Sequence, residues 1–518
     1  MTNLKSFIED IESHSLKRAF LTLFAWIILR IFFESVFESS HYLGYIPFSY
    51  KALVIYFLHY PSFYLSLFLA IVIVTSLITG AEIKKTTSVF AFGFGIVVFV
   101  PFIDWVIGGG FRITYPLRMG PYLFSSLNPF VSIMEYGGSP GQRIVFFLVC
   151  LLVALYGYLK TKKIILGVTL FIILYLLIIL LGGMPTLLAG DRPEDVYITG
   201  GILYSDTQKY TSIFILLLIS FVVLYFYLID KRSFRLLILS IRLERSTFYG
   251  AVGLAGFFLA LQQSSYAPRV SFIFDWMGLV ILYLAIFFGF TGTSVVNDFF
   301  DKNGDSITRL RNPLTRDIEP QYYLFWGIVL KIFTLTLSLL LGYVPFLIMI
   351  TLLILGLLYS MPPVRLKRIP LVSSFTLAVS VVLVLAMGYS IIAGGEVFNR
   401  IPGSILKATL LAGTFGFTAK DINDIEGDRR MGIRTLPVIF STSDGRLLRL
   451  PMGIIISSSF LFFPVFIKGV LPGSAVFAVS TLLYTILVKR LNEWFYFLLL
   501  YLYGGYLFII LSSLPQLI

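Results

Sequence analysis

The stretch IFDWMGLVILYLAIFFGFTGTSVVNDFFDKNGD, residues 273–305, runs from a long apolar segment straight into three aspartates. Its apolar part, 273–298, exceeds the about 20 residues a helix needs to cross the roughly 30 Å hydrocarbon core of a bilayer. Outward from it, similar runs recur along the whole chain, six between residues 17 and 229 and nine between 249 and 514. The 518 residues are 58% hydrophobic and only 13% charged, against about 25% charged in a soluble domain. A water-soluble fold is thereby excluded. The pattern predicts an all-α, polytopic helical membrane protein with an N-terminal membrane domain of about six transmembrane helices over 1–230. A second domain of about nine helices follows over 231–518. The boundary falls where KRSFRLLILSIRLER (231–245) alternates basic and apolar positions. That stretch reads either as a helix lying in the headgroup layer or as a basic juxtamembrane connector.

The formal charge of +13 invites a nucleic-acid reading, but the placement of the bases argues otherwise. With the N-terminus cytoplasmic, 28 of the 40 Lys and Arg fall in inner segments, nine in outer ones and three within spans. This is the asymmetry that orients membrane proteins. It predicts a multi-pass protein of the cell membrane with the N-terminus inside, the C-terminus outside and no nucleic-acid partner. The start, MTNLKSFIEDIESHSLKR, carries mixed charge and no obvious small-residue cleavage site, so the first span is expected to be retained. One cysteine, Cys150, sits in an apolar run, and the three histidines all lie before residue 60. Neither a thiolate or histidine metal site nor a Ser/His/Asp triad is therefore expected, and the histidines are assigned interfacial or packing roles.

Chemistry is expected where aspartates gather at span ends. NDFFDKNGD carries Asn297, Asp298, Asp301 and Asp305; DINDIEGD carries Asp421, Asn423, Asp424 and Asp428. In each, three aspartates stand at i, i+3 and i+7, which a continuing helix places on one face. A glycine precedes each last aspartate (Gly304, Gly427), and an arginine stands six residues after it (Arg311, Arg434). Either segment alone reads as an ordinary solvated loop. Two matched copies suggest two half-sites facing each other.

Carboxylates at membrane depth are costly, about 2.5–3.5 kcal/mol each, and call for a cation. Mg²⁺ takes one or two carboxylates and completes its shell with water and substrate phosphate. Two aspartate rows bridged through Mg²⁺ to a diphosphate account for acidic residues binding an anion. Lys420, Arg311 and Arg434 supply direct contacts nearby. An EF-hand is rejected, because the twelfth position from Asp301 is Asn312 instead of glutamate. A third element, LYSMPPVRLKR (358–368), brings Tyr359, Arg365 and Lys367 behind two helix-ending prolines.

These motifs together resemble the UbiA superfamily of intramembrane prenyltransferases over about residues 231–518. Asn297, Asp301 and Asp305 match its NxxxDxxxD motif, and Asp424 and Asp428 match its DxxxD motif. A tyrosine and basic segment lies between, and GDRRMGIRTLPV (427–438) is also similar. YSMPPVRLK departs from the commoner YxxxK spacing, so either Arg365 or Lys367 fills that role. The first six spans carry no motif recognised here as a family's.

The resemblance implies a nine-helix UbiA-like prenyltransferase bundle and an enzyme that transfers a prenyl group from a polyprenyl diphosphate donor to a small-molecule or lipid acceptor. Two Mg²⁺ would hold the head group and a lipid-facing channel the tail. Asn297, Asp301, Asp305, Asp424 and Asp428 become the catalytic set, joined for metal by Asp298 and Asp421. Arg311, Tyr359, Arg365, Lys367, Lys420 and Arg434 are the substrate contacts. The acceptor stays open among a quinone-ring precursor, a glycerol phosphate lipid, a tetrapyrrole and a sugar phosphate. The competing class is a transporter or channel with acidic cation sites, but transport predicts acids spread through the bilayer depth.

Overall fold

In the computed structural model the chain is described except for residues 1, 40–48, 109–114, 117, 128–137, 190–200, 265–272, 309–311, 313, 315–317, 426–428, 430–434, 441–448, 489–490 and 514–518. It divides into two compact units, Met1–Lys231 and Arg232–Ile518. Every described regular element is helical.

Among the described residues the first unit holds six long helices: α1 (Leu16–Phe37), α2 (Tyr50–Thr79), α3 (Ile83–Gly108), α4 (Pro140–Thr161), α5 (Ile164–Ala189) and α6 (Asp206–Ile229), each long and apolar enough to cross a membrane. Serine begins α4 and α6 with reciprocal capping, Ser139 with Gln142 and Ser205 with Gln208, which satisfies amide groups that a helix start leaves bare. Pro61 interrupts the apolar run of α2 without ending the helix. The preceding turns, Val54–His59, widen into π-helix, a register shift that absorbs the N–H proline lacks. Leu67, Ala70, Cys150, Val153, Leu170 and Leu174 form a buried core shared by α2, α4 and α5. Two buried polar side chains in this unit have internal partners. Asp104 accepts from Ser139 and from the Gly141 amide, and His59 bonds Tyr115 at 2.9 Å.

A short helix, Lys231–Ser240, opens the second unit. Its helices are α7 (Leu243–Gln263), α8 (Ile273–Thr308), α9 (Pro320–Leu341), α10 (Tyr343–Ser360) and α11 (Val372–Ala393). Then come α12 (Gly403–Gly416, extended by 3₁₀ turns Phe417–Asp424), α13 (Leu450–Phe466), α14 (Leu471–Leu487) and α15 (Glu493–Ser513). α7 and α11 cross closely. A Cβ added at Gly388 would collide with the Gly253 carbonyl oxygen, and one at Gly256 with that of Leu385, so only glycine permits this approach.

The length of α8 positions the site. Its 36 residues span about 54 Å at 1.5 Å each, well beyond the roughly 30 Å of hydrocarbon. The last turns, with the first aspartate motif, therefore leave the apolar layer while still helical.

Candidate active site

The end of α8 presents two faces with different partners. Asn297 and Asp301, one turn apart, turn toward the segment after α10. Lys367 Nζ donates to Asn297 Oδ1 at 2.9 Å and also bonds Asp301 Oδ2, while Arg365 donates to Asp301 Oδ1 at 2.6 Å. Ser360 Oγ adds a hydrogen bond to Asn297 Oδ1 at 3.1 Å. Both candidate bases thus reach the same carboxylate. Their approach rests on the turn after α10, where the Arg365 amide donates to the Met361 carbonyl at 2.9 Å. Arg365 sits at φ 43°, ψ 58°, a left-handed conformation that costs a residue with a Cβ about 1–2 kcal/mol.

Asp298 faces the other way and is buried. One carboxylate oxygen accepts from Arg242 at 2.5 Å and the other from the Tyr323 hydroxyl at 2.8 Å, and Asn312 Nδ2 donates to its backbone carbonyl at 3.0 Å. Grouped by sequence with the candidate metal ligands, it is instead enclosed by α7's leading arginine and a tyrosine of α9.

Burial lowers the Lys367 ammonium to about 8, and the neighbouring Asp301 carboxylate only partly pulls it back up. Buried ionisable groups perturbed in this way gather at functional sites and also in structural ion pairs.

The second motif enters on the 3₁₀ extension of α12. Lys420 Nζ donates to Asp421 Oδ1 at 2.6 Å and lies 5.6 Å from the centre of the Tyr359 ring. Tyr359 OH also lies 3.3 Å from Ser373 Oγ. Adjacent residues at the end of α10 therefore reach toward the two motifs, Ser360 touching Asn297 of the first and Tyr359 touching Lys420, which bonds Asp421 of the second. Asp305 and Asp424 lie on described backbone, at the end of α8 and of the 3₁₀ extension, but their side chains fall outside the described residues. Asp428, Arg311 and Arg434 lie outside them altogether.

An apolar cavity of about 220 Å³ opens beside the second motif. Lys420 lines its inner end, and three helical stripes form its walls: Phe248, Val252, Ala255, Leu259 and Gln262 of α7; Thr409, Ala412, Gly413, Gly416 and Phe417 of the α12 segment; and Phe497, Leu500, Gly504, Leu507 and Leu511 of α15. Arg245 pairs with Glu493 where α7 and α15 begin.

Residues 257–497 match the model of the UbiA prenyltransferase family. They belong to that family. Among known relatives, digeranylgeranylglyceryl phosphate synthase of Pyrococcus horikoshii is 29% identical over 187 residues, which is 35% of this chain and 64% of the relative. The protein of the same name from Pyrococcus abyssi is 26% identical over 214 residues, 41% and 72% of the two chains. The chain thus spans about 64% of the length of the first relative. A solved UbiA homolog from Archaeoglobus fulgidus bound to DMAPP and Mg²⁺ is 19% identical over 53% of this chain and 99% of that one, with a TM-score of 0.38.

Within the UbiA-family unit, two site neighbours escaped sequence reading. Arg242 is one of several bases in a basic stretch, and Tyr323 one of 30 tyrosines. Neither spacing nor composition singles them out, because their role exists only through the buried Asp298 carboxylate.

Proposed function

We propose that residues 232–518 form a membrane-embedded transferase that moves a polyprenyl group from its diphosphate to a lipid acceptor with magnesium. One observation carries this reading. Oxygen donors of the first motif, two bases and the mouth of an apolar cavity converge around the end of α10, where Asn297 and Asp301 hold Lys367 and where Tyr359 meets the cavity-lining Lys420.

The donor set suits a hard cation. Asn297 and Asp301 already turn their oxygens onto one positive group, the Lys367 ammonium, and amide and carboxylate oxygens are what Mg²⁺ takes. Asn297, Asp301, Asp305, Asp424 and Asp428 are the proposed holders of two ions, with Asp421 beside them. When bound, magnesium supplies positive charge to a leaving diphosphate. Arg365 and Lys367 bind and orient that diphosphate. As the allylic carbon–oxygen bond breaks, its electron pair stays on the diphosphate oxygen, and both bases meet the charge where it develops. The allylic cation is left at a cavity mouth walled by Phe248, Phe417 and Phe497, which excludes water. An acceptor hydroxyl oxygen then forms the new bond to carbon, and its proton passes to the departed diphosphate.

A glyceryl phosphate that already bears one isoprenoid ether is the acceptor we favour over a quinone-ring precursor, a tetrapyrrole or a sugar phosphate. The names of the similar synthases support this choice. The bias of basic residues supports a cytoplasmic site and N-terminus, an outer C-terminus and a cell-membrane location. Residues 1–231 are proposed as an accessory membrane domain.

The test uses purified full-length protein with Mg²⁺, labelled geranylgeranyl diphosphate and a panel of the four acceptor classes. Transfer to the glyceryl phosphate lipid at least tenfold above the others is expected, with Asp301→Ala lowering it at least a hundredfold. Near-normal turnover of a folded Asp301→Ala protein would remove the site assignment, and transfer to another class alone would remove the acceptor.

A further inference from the structure

The short helix Lys231–Ser240 and the residues that lead from it into α7 hold Lys231, Arg232, Arg235 and Arg242 and reach Leu243 without an acid. At 3.6 residues per turn, Arg232, Arg235, Ile238 and Leu239 fall within about 120° of arc. All four are exposed, while Leu237 on the opposite side is fully buried. This face is graded along its length. Bases occupy its first turns and bulky apolar side chains its end, where the exposed Leu243 prolongs it. A bilayer surface is graded in the same order, from phosphates to acyl chains, so the face fits it with its bases at headgroup depth and its apolar end at the acyl boundary. The basic bias that orients the chain puts this helix on the cytoplasmic side, where an anionic leaflet favours each nearby Lys or Arg by roughly a factor of five.

The end of the helix is tied to the first aspartate motif. Two residues after Ser240, Arg242 donates to Asp298 Oδ1 at 2.5 Å, and Asp298 Oδ2 accepts from the Tyr323 hydroxyl at 2.8 Å. Ser240 itself lies within hydrogen-bonding reach of Tyr323. Asp298 adjoins Asn297 on α8 and precedes Asp301 by three residues. A shift of the short helix therefore draws Arg242 off the carboxylate that fixes this turn of α8.

We propose that the face formed by Arg232, Arg235, Ile238, Leu239 and Leu243 docks on anionic lipid headgroups, and that Arg242 conveys this contact to the first motif, so that prenyl transfer depends on anionic lipid. The dependence of transfer rests on the transferase reading above; the docking does not.

The test uses the full chain in nanodiscs of phosphatidylcholine, alone or mixed with phosphatidylglycerol. Ile238→Cys accepts an NBD label selectively, because Cys150 is the chain's one other thiol and is fully buried. With nitroxide-tailed lipid of either class at equal fraction, quenching by phosphatidylglycerol should exceed that by phosphatidylcholine at least threefold, and adding Arg235→Glu should erase the excess. Equal quenching by both overturns the docking, as does a label that neither lipid quenches because a protein partner or a second copy covers the face. With Mg²⁺, wild-type kcat/KM should be at least fivefold higher in mixed nanodiscs than in phosphatidylcholine alone, and Arg235→Glu should show the lower value in both. Arg242→Gln or, where that does not fold, Arg242→Lys should keep the quenching preference and lose the lipid dependence. A wild-type ratio near one, or lipid dependence retained in the folded Arg242 variant, overturns the link to the motif. Absence of transfer in every lipid overturns the transferase reading, while the label still decides the docking.

Discussion

Replacing Asp298 separates two roles that neighbouring acids of one motif can play. Its side chain is 4% exposed and that of its partner Arg242 is 23% exposed. Asp298→Asn keeps the shape and a weakened bond to Tyr323 but removes the charge facing Arg242. Breaking a fully buried pair costs about 3–5 kcal/mol. Because Arg242 retains some solvent, about 2–3 kcal/mol is expected here. Tyr323→Phe removes one hydrogen bond to a carboxylate, about 1.5–3 kcal/mol. The two changes share the carboxylate, so the double variant should fall short of the sum by about 1 kcal/mol.

The assay is unfolding in mixed micelles, paired with the Mg²⁺ concentration giving half-maximal transfer. Asp298→Asn should lower the unfolding free energy and leave the half-maximal Mg²⁺ within twofold, whereas Asp301→Asn should raise it at least tenfold. If Asp298→Asn unfolds like wild type yet needs tenfold more Mg²⁺, Asp298 is a metal ligand and the anchoring argument fails.

Two further outcomes are expected. In magnesium-free protein, acylation of Lys367 followed by mass spectrometry should rise with a midpoint near pH 8, more than two units below the usual lysine value of about 10.4. Because burial lowers this group, the unfolded chain binds a proton that the folded chain lacks between those values, so its contribution to stability grows as pH rises through that window; a midpoint near 10 would show the side chain solvated. Gly388→Ala drives a methyl into the Gly253 carbonyl and should cost about 3 kcal/mol, read as a lower unfolding midpoint; an unchanged midpoint would mean that α7 and α11 cross further apart.

Span positions were legible because bilayer thickness imposes a length, and a run of about 20 apolar residues has few other uses. The stretch 273–298 therefore predicted α8, but its continuation to Thr308 was not marked by hydropathy, since the last turns leave the apolar layer and polar residues there are equally compatible with a loop. The acidic motifs stood out by repetition. Which way each acid points did not, because i, i+3 and i+7 spacing describes an isolated helix, whereas Asp298 is claimed by Arg242 and Tyr323 and Asp301 by Arg365 and Lys367. The choice between Arg365 and Lys367 was unreadable for a related reason. A turn with Arg365 in left-handed conformation lets both side chains reach one carboxylate, and no linear spacing encodes that.

The pairing at Asp301 bears on how such a site tolerates its own charges. A carboxylate 12% exposed, with bases 11% and 13% exposed on its two oxygens, already has its charge compensated, so the acid imposes no lone buried charge when substrate is absent. Loading a magnesium diphosphate is then an exchange of partners on the proposed reading. Asp301 trades two bases for a metal, and the freed bases, one of them planar and able to bind bidentately, turn to phosphate oxygens. Ion pairs are redistributed within the cluster, so each buried charge has an opposite partner before and after. That economy explains why bases and acids are interleaved at one helix end instead of separated. It also requires that removing a base loosen substrate binding while tightening Asp301's hold on metal alone. Lys367→Met should therefore bind Mg²⁺ more tightly than wild type when diphosphate is absent. Weaker binding of the bare ion would show that Lys367 shapes the metal site itself instead of standing in for its occupant.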